Sequence, residues 1–128
     1  MSRPALPKQM RKVADKALLK RIQDGLELVE AALQKATEHT DPIAKVTARH
    51  LVDAGGKRIR PVLVLLASEL GTTHNQDVID AAVVVELTHL ATLYHDDVMD
   101  EAPTRRGVAT AHNIWGNSVA ILTGDLLF

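Results

Sequence analysis

The apolar residues of this chain recur with the period of an α-helix over most of its length. The clearest example is a single apolar stripe in which one residue follows another every three to four positions: Leu18, Ile22, Leu26, Val29 and Leu33. Such spacing brings the side chains to one face and predicts an amphipathic helix of about five turns.

A second helix is predicted from a pair of residues that favour helix starts. Asp41 is a good N-cap, and Pro42 suits the first helical position, where no backbone N–H is needed. The helix carries Ile43, Val46, His50 and Leu51. It is predicted to stop at Gly55 and Gly56.

Two further helices are predicted before residue 100. Pro61 opens a very apolar helix over 62–70, which Gly71 closes. Asn75 or Asp77 then caps a helix of about 24 residues that is apolar on more than one face. A helix with this pattern is expected at the centre of a bundle.

Strand signals are weak, so the chain is predicted to be all-α. The β-branched run 83–85 lies inside a helical pattern without turn residues. A loop with Pro103 and Gly107 leads into a last helix from about Thr110. At 128 residues the chain is of one-domain size.

Composition narrows the class of protein. With a net charge of -1 and 2% aromatic residues, the chain lacks the basic surface and stacking platforms of nucleic-acid binders. There is no cysteine, the basic N-terminus MSRPALPKQMRK has no signal-like apolar core, and the longest apolar run is 62–67. A cytoplasmic protein without a membrane span is expected. Such a protein could still act on a lipid substrate, so its contact with a membrane is expected to be transient at most.

The stretch HDDVMDE places four acids, Asp96, Asp97, Asp100 and Glu101, within six residues. On a helix Asp96 and Asp100 share one face, at the unfavourable negative end of the helix dipole. Mg²⁺ would relieve this repulsion, and it binds one or two carboxylates together with water and phosphate oxygens. The alternative is a solvated acidic helix end.

Two basic clusters complement the acids. GGKRIRP combines a glycine pair with Lys57, Arg58 and Arg60, which predicts either an anion site or a solvated loop. Arg105 and Arg106 form a second cationic loop. Acids for Mg²⁺ beside cationic loops and aliphatic helices indicate phosphate–metal chemistry on a substrate with an apolar tail.

Two histidines flank this region. His89 precedes Asp96 by seven residues, two helical turns along roughly the same face, so a polar contact in the site competes with a core role. His95 points about 100° away from Asp96 on a helix and is interpreted as structural or supporting.

Four motifs in this order, GGKRIRP, ELTHLATLYHDDVMD, RRG and GDLLF, resemble the N-terminal part of the trans-isoprenyl diphosphate synthases. Among these they are most similar to bacterial synthases of the geranylgeranyl-to-octaprenyl type, from about Ala14 to Phe128. The resemblance implies the isoprenoid synthase fold, with helices around a central cavity. It also implies head-to-tail condensation of isopentenyl diphosphate with an allylic diphosphate by a homodimer.

The resemblance implies a role for each motif residue. Asp96 and Asp100 would ligate Mg²⁺, with Asp97 supporting them, and Arg105 would contact the allylic diphosphate; these four are the expected catalytic residues. Isopentenyl diphosphate would be held by Lys57, Arg58, Arg60, His89 and Arg106. Ala91 and Thr92 would leave the cavity wall below the diphosphate open, which implies a product of about 20 carbons or longer. Leu87 and Val84 would line the next layer of the wall.

One feature of the family is missing, because its second aspartate-rich motif lies in a C-terminal half that does not follow Phe128 here. The sequence ends in an apolar helical pattern that contains Leu122, Leu126, Leu127 and Phe128. The resemblance therefore implies that residues 1–128 are the N-terminal helical part of a single prenyl synthase domain. We expect either a fragment that is inactive alone or a half-enzyme that takes its other half from a partner chain. The alternatives are a non-catalytic subunit that pairs with a catalytic synthase, and a metal phosphohydrolase that uses His89, His95 and Asp96.

Overall fold

The structure is a computed structural model that describes Leu6, Lys8, residues 15–71 and residues 75–128. Most of the N-terminal stretch discussed above, and residues 72–74, lie outside the described part. The described residues form these elements: α1 (Lys16–Ala36), α2 (Pro42–Asp53), α3 (Ile59–Ser68), α4 (Gln76–Met99), β1 (Thr104–Arg105), β2 (Val108–Ala109), α5 (Ala111–Trp115) and α6 (Asn117–Leu127). The predicted all-α class is confirmed.

The chain divides into two compact units. Unit 1 comprises Met1–Leu33 and Lys57–Glu86, and unit 2 comprises Gln34–Gly56 and Leu87–Phe128. Helices α1 and α4 contribute residues to both units. The expectation of one domain over residues 1–128 stays a prediction.

The apolar stripe predicted for α1 is confirmed as a buried face. Within unit 1 the most deeply buried side chains come from α1, α3 and α4: Ile22, Leu26, Val29, Leu33, Val62, Leu65, Ile79 and Ala82. Burial of one aliphatic side chain of this size contributes roughly 1.5–3 kcal/mol to folding. The core of unit 1 is thus aliphatic, in keeping with the aromatic-poor composition.

Helix α3 starts and ends earlier than predicted. It begins at Ile59 and its C-cap is Glu69, so the prediction of a helix over 62–70 opened by Pro61 is wrong by two to three residues. Pro61 sits in the first turn, where backbone N–H groups have no partner within the helix, so proline costs nothing there. The residue before the helix, Arg58, has a left-handed backbone with φ 53°.

Both predicted helix caps are present. In unit 2 the Asp41 carboxylate accepts from the backbone N–H groups of Ile43 and Ala44, at 2.8 and 3.0 Å, at the start of α2. In unit 1 the Asn75 side chain accepts from the N–H of Val78 at 3.0 Å and starts α4, so Asn75 rather than Asp77 is the cap.

The core-facing side of α2 differs from the apolar residues noted in the sequence. Ile43 and Val46 are 67% and 57% exposed, whereas Thr47, Ala48, Leu51 and Val52 are buried. Helix α2 packs against α6 in unit 2. Thr47 tolerates burial because its hydroxyl donates to the carbonyl of Ile43 at 2.9 Å.

The segment after α4 contains a β-hairpin where a loop was expected. Strand β1 pairs antiparallel with β2, with Thr104 opposite Ala109 and Arg105 opposite Val108. The two turn residues, Arg106 and Gly107, both have positive φ, at 55° and 78°. This is the geometry that suits two-residue hairpins, and Arg-Gly is a weaker sequence signal for it than Asn-Gly.

The prediction of one continuous helix from about Thr110 is wrong. Thr110 does precede a helix, but the helix ends at Trp115, and α6 starts at Asn117. Gly116 between them has φ 90° and ψ 166°, a conformation that favours glycine and breaks the helical path.

One described helix, α4, is long and apolar enough to cross a membrane when judged by length and composition alone. The sequence criterion of an unbroken apolar run overlooked it, since polar residues interrupt α4. A core helix passes the same test, and α4 buries Glu86 and Asp97 along its length. Within the apolar window of α4, 44% is buried inside the protein.

The Asp41 cap is tested by replacing its acceptor oxygen. Asp41→Ala is expected to lower the free energy of unfolding by about 1 kcal/mol, because two N–H groups at the start of α2 lose their partner. Urea unfolding followed by circular dichroism measures this. Asp41→Asn keeps an acceptor oxygen and is the matched control; equal losses in both variants would contradict the capping explanation.

Candidate functional site

The acidic end of α4 lies in unit 2 and carries two carboxylates on successive turns. The N–H of Asp100 donates to the carbonyl of Asp96 at 2.8 Å, so the helical path continues to Asp100. Asp96 is half-buried and Asp100 is exposed. Among the described residues, neither carboxylate takes part in a hydrogen bond or ion pair.

These two carboxylates fit a magnesium site in number and chemistry. Mg²⁺ usually takes one or two carboxylates and fills its other positions with water and phosphate oxygens. Within the described part of the chain, no group of three His, Cys, Asp or Glu residues comes together to hold a metal ion. A metal here would therefore depend on oxygen atoms from water or substrate beside Asp96 and Asp100.

The third aspartate, Asp97, has a different environment. It is only 2% exposed, and its Oδ1 accepts from Arg105 Nε at 2.9 Å and Nη2 at 2.6 Å. The hydrogen bond that Arg105 donates to Asp97 is the main reason why the pKa of Arg105 is raised above its ordinary value. Asp97 thus holds Arg105 against α4 as a permanent cation.

Backbone carbonyls around the hairpin fix the segment that follows the acids. The carbonyl of Ala102 accepts from Thr110 Oγ1 at 2.7 Å and lies 2.8 Å from His112 Nε2. The N–H of Ala102 donates in turn to the carbonyl of Asp97 at 3.0 Å. Sequence reasoning missed Thr110 and His112, because nothing in the local pattern shows which carbonyl they approach.

Arg106 contacts the C-terminal end of α2, also in unit 2. Its Nη1 donates to the carbonyl of Leu51 at 2.9 Å and to the carbonyl of Gly55. A Cβ atom on Gly56 would lie 2.9 Å from Arg106 Cζ, and Gly56 has φ 138°. The glycine pair is therefore needed for close approach of the guanidinium. The predicted contact of Arg106 with isopentenyl diphosphate stays a prediction.

The basic residues of GGKRIRP lie in unit 1 and differ in how deeply they are buried. Lys57 and Arg60 are exposed, whereas the Arg58 side chain is 2% exposed and forms ion pairs with Glu30 and Glu86. The substrate-binding roles of all three residues stay predictions. Burial of Arg58 is not favourable to a direct substrate contact.

The residues proposed for the chain-length wall do not share one environment. Ala91 is fully buried in unit 2, and its carbonyl lies close to Gly124 of α6. Thr92 is exposed, and its hydroxyl donates to the carbonyl of half-buried His89 at 2.6 Å. In unit 2, half-buried Leu87 lines a small cavity of about 90 Å³ that Leu126 and Leu127 also line. Val84, in unit 1, is 60% exposed.

His95 packs on α6, in agreement with the structural interpretation. Its Nε2 lies 3.0 Å from the carbonyl of Ile121 and 3.2 Å from Asp125 Oδ1. Any Cβ on Gly124 would collide with the imidazole ring. The glycine of GDLLF is thus required for contact between α6 and the acidic helix.

Tyr94 ties the acidic helix to α2. Its hydroxyl donates to the carbonyl of Thr47 at 2.5 Å and accepts from the N–H of Leu51 at 3.2 Å. Burial raises the pKa of Tyr94 to about 12. No local sequence pattern indicates this role of Tyr94, since a single aromatic residue carries no periodic signal.

The structure is thus an all-α chain in which a DDxxD cluster ends a long helix and an Arg–Asp pair lies beside it. The family model for polyprenyl synthetase matches residues 41–128. The chain belongs to the polyprenyl synthetase family, which confirms the resemblance noted in the sequence.

Curated relatives are prenyl diphosphate synthases. Nonaprenyl diphosphate synthase of Mycobacterium tuberculosis is 43% identical over 107 residues, which is 83% of this chain and 32% of that protein. Heptaprenyl diphosphate synthase component 2 of Geobacillus stearothermophilus is 44% identical over 113 residues, 88% of this chain and 35% of the relative. The chain spans about a third of the length of these relatives.

Solved structures show the same fold. Polyprenyl synthase of Caulobacter crescentus, solved as a complex with calcium and isoprenyl diphosphate, matches with a TM-score of 0.81 at 37% identity over 87% of this chain and 34% of that one. Heptaprenyl diphosphate synthase of Staphylococcus aureus matches with a TM-score of 0.80 at 39% identity. The match covers 83% of this chain and 34% of that one. The predicted isoprenoid synthase fold is confirmed.

The environment of Tyr94 can be measured directly, because it is the only tyrosine in the chain. Its absorbance titration is expected to have a midpoint of about 12 in the folded protein and about 10 in denaturant. Since the folded pKa is the higher one, the stabilisation is complete below pH about 10 and is lost as pH rises towards about 12. A midpoint near 10 with native circular dichroism would contradict the assigned burial, and Tyr94→Phe is the blank.

Proposed function

We propose that the protein joins isopentenyl diphosphate head to tail to an allylic diphosphate in a Mg²⁺-dependent reaction. The proposal is carried by the different environments of the three aspartates at the end of α4, in a member of the polyprenyl synthetase family. Asp96 and Asp100 lie one turn apart without a described partner, while Asp97 holds Arg105 beside them.

The chemistry follows from charge. Mg²⁺, bound by Asp96 and Asp100, would neutralise charge that develops on the departing diphosphate. Arg105, oriented by Asp97, would donate to the same oxygens, and a preorganised cation costs no reorganisation during the reaction. The allylic C–O bond breaks with its electron pair leaving on the diphosphate. The homoallylic double bond then attacks the allylic carbon, and a proton passes to the released diphosphate.

The second substrate is assigned to basic residues by the family resemblance. We propose that Lys57, Arg60, Arg106 and His89 hold the diphosphate of isopentenyl diphosphate. Lys57 and Arg60 are exposed in unit 1, so their charges are available to an anion. The Caulobacter crescentus relative, crystallised with calcium and isoprenyl diphosphate, supports a site that combines a divalent cation with a prenyl diphosphate.

A paired assembly is the second candidate. Two relatives, from Geobacillus stearothermophilus and Bacillus subtilis, are named component 2 of a heptaprenyl diphosphate synthase. Exposed Leu122, Leu126 and Phe128 in unit 2 offer apolar surface to a second chain. We propose a cytoplasmic homodimer or a complex with a partner chain, and no nucleic-acid ligand. The phosphohydrolase alternative gains no support, since the matching family is polyprenyl synthetase and His95 contacts the carbonyl of Ile121.

The reaction is tested with the product of the complete gene, radiolabelled isopentenyl diphosphate, an allylic primer and Mg²⁺. Asp100→Asn is expected to lower kcat by about 100-fold or more, because a metal-binding charge is lost. Glu101→Gln removes a neighbouring exposed charge and is the matched control, with activity near that of wild type. Equal losses in both variants would contradict the assigned metal ligands. Turnover only after a second chain is added would favour the paired assembly.

Product length is tested on the exposed face of α4. Thr92 and Thr88 lie one turn apart there, four and eight residues before Asp96. Each turn spans about 5.4 Å, so a phenylalanine at Thr92 should stop chain growth earlier than one at Thr88. Thin-layer chromatography of the products is expected to rank Thr92→Phe shortest, Thr88→Phe intermediate and wild type longest.

Ala91→Phe is the comparison for this series. Ala91 is fully buried, so the larger ring is expected to lower the free energy of unfolding by about 1–3 kcal/mol as well as changing activity. An unchanged product distribution in Thr92→Phe would contradict the proposed chain-length wall. Urea unfolding of Ala91→Phe separates loss of stability from an effect on product length.

A further inference from the structure

We propose that Arg58 is a positioning residue that acts through Glu30 and Glu86. It orders the loop that carries Lys57 and the first turn of α3, which carries Arg60, without touching substrate itself. The kinetic part of this inference rests on the proposed function. Its structural part concerns unit 1 alone and stands on the contacts of one guanidinium group.

The Arg58 guanidinium is enclosed by two carboxylates. Nε donates to Glu30 Oε1 at 2.5 Å and Nη2 to Glu30 Oε2 at 3.5 Å, while Nη1 donates to Glu86 Oε1 at 3.2 Å. The side chains of Arg58 and Glu86 are each 2% exposed, and that of Glu30 is 15% exposed. A cation with its donors directed at two carboxylates and almost no exposed area is poorly placed to grip a diphosphate.

The three charged groups come from three segments of unit 1. Glu30 belongs to α1, Glu86 belongs to α4, and Arg58 immediately precedes α3. The rigid guanidinium plane presents several N–H donors in a fixed arrangement, so it can direct separate donors at both carboxylates, whereas lysine is a point charge on a flexible stem. Arg58 therefore fixes the start of α3, and with it the loop, to two long helices.

The backbone at Arg58 gives a second, independent indication. Its φ of 53° and ψ of 36° are left-handed, a conformation in which glycine would normally stand. A non-glycine residue stays there only when its surroundings hold it. The ion pairs of the Arg58 side chain explain why an arginine occupies this position shortly after a glycine pair, because they hold the turn in one conformation.

The neighbours of Arg58 show what this order is for. Lys57 and Arg60 are exposed on either side of the buried arginine. Since long basic side chains lose much rotamer freedom on binding an anion, a fixed backbone lowers the cost of bringing both charges to one ligand. Within the GGKRIRP motif, the buried cation provides structure and the exposed cations remain available for binding.

A double-mutant cycle on the complete gene product separates this role from direct substrate contact. Glu86→Gln and Arg58→Met are each expected to raise KM for isopentenyl diphosphate by roughly five- to tenfold with little change in kcat. The double variant should be no worse than Arg58→Met alone, because both changes break the same interaction. Glu69→Gln, which removes the partner of more exposed Arg21 in the same unit, should leave KM unchanged.

Two kinetic outcomes would overturn the proposal. If Arg58 touches the diphosphate directly, Glu86→Gln leaves KM at the wild-type value while Arg58→Met raises it. If the two residues act separately, their effects on KM multiply in the double variant. Lys57→Gln serves as the comparison for a lost substrate contact, and its effect on KM should not depend on Glu86.

Limited trypsin digestion measures the loop without any reaction. Glu86→Gln keeps every trypsin site of the loop, so the rate of cleavage after Lys57, read by mass spectrometry, reports loop order. We expect that rate to rise at least fivefold in Glu86→Gln and to stay unchanged in Glu69→Gln. Equal rates in both variants would overturn the proposal. If the wild-type protein shows no prenyl transfer, the proposed function fails while the digestion still decides the role of Arg58.

Discussion

The ion pair between Asp97 and Arg105 is the interaction on which the acidic end of α4 depends. A carboxylate that is only 2% exposed is costly to bury unless a cation and hydrogen bonds accompany it. Arg105 supplies both through two nitrogen atoms on one oxygen. Because Arg105 belongs to β1, this requirement fixes the hairpin against the helix and determines where the neighbouring residue, Arg106, can reach.

Burial divides the charged residues of each motif into two environments. At the end of α4 in unit 2, Asp97 is buried and paired, whereas Asp96 is half-buried and Asp100 is exposed. Within unit 1, Arg58 is buried and paired, whereas Lys57 and Arg60 are exposed. In each motif a neutralised charge holds the backbone that presents the others, which explains why so many charges stand side by side.

Glycines contribute to the same end of unit 2 by permitting close approach. Gly56 leaves room for the Arg106 guanidinium, and Gly124 leaves room for the His95 ring. In the first contact Arg106 reaches the carbonyl of Leu51 in α2, and in the second His95 lies against the carbonyl of Ile121 in α6. Family membership was visible in the motifs, but the reason for the glycines in GGKRIRP and GDLLF lies in these contacts.

The sequence by itself determined the features that depend on neighbours along the chain. The stripe from Leu18 to Leu33 predicted α1, Asp41 and Asn75 predicted two helix starts, and the order of four motifs predicted the family. Only the tertiary structure decided which face of α2 is buried, that Arg106 and Gly107 form a hairpin turn, and that Asp97 and Arg58 are enclosed. These depend on residues up to 55 positions apart, such as Leu51 and Arg106, whose approach no local pattern records. Periodicity and capping act within a few residues, whereas burial of a charge is set by whichever distant partner can neutralise it.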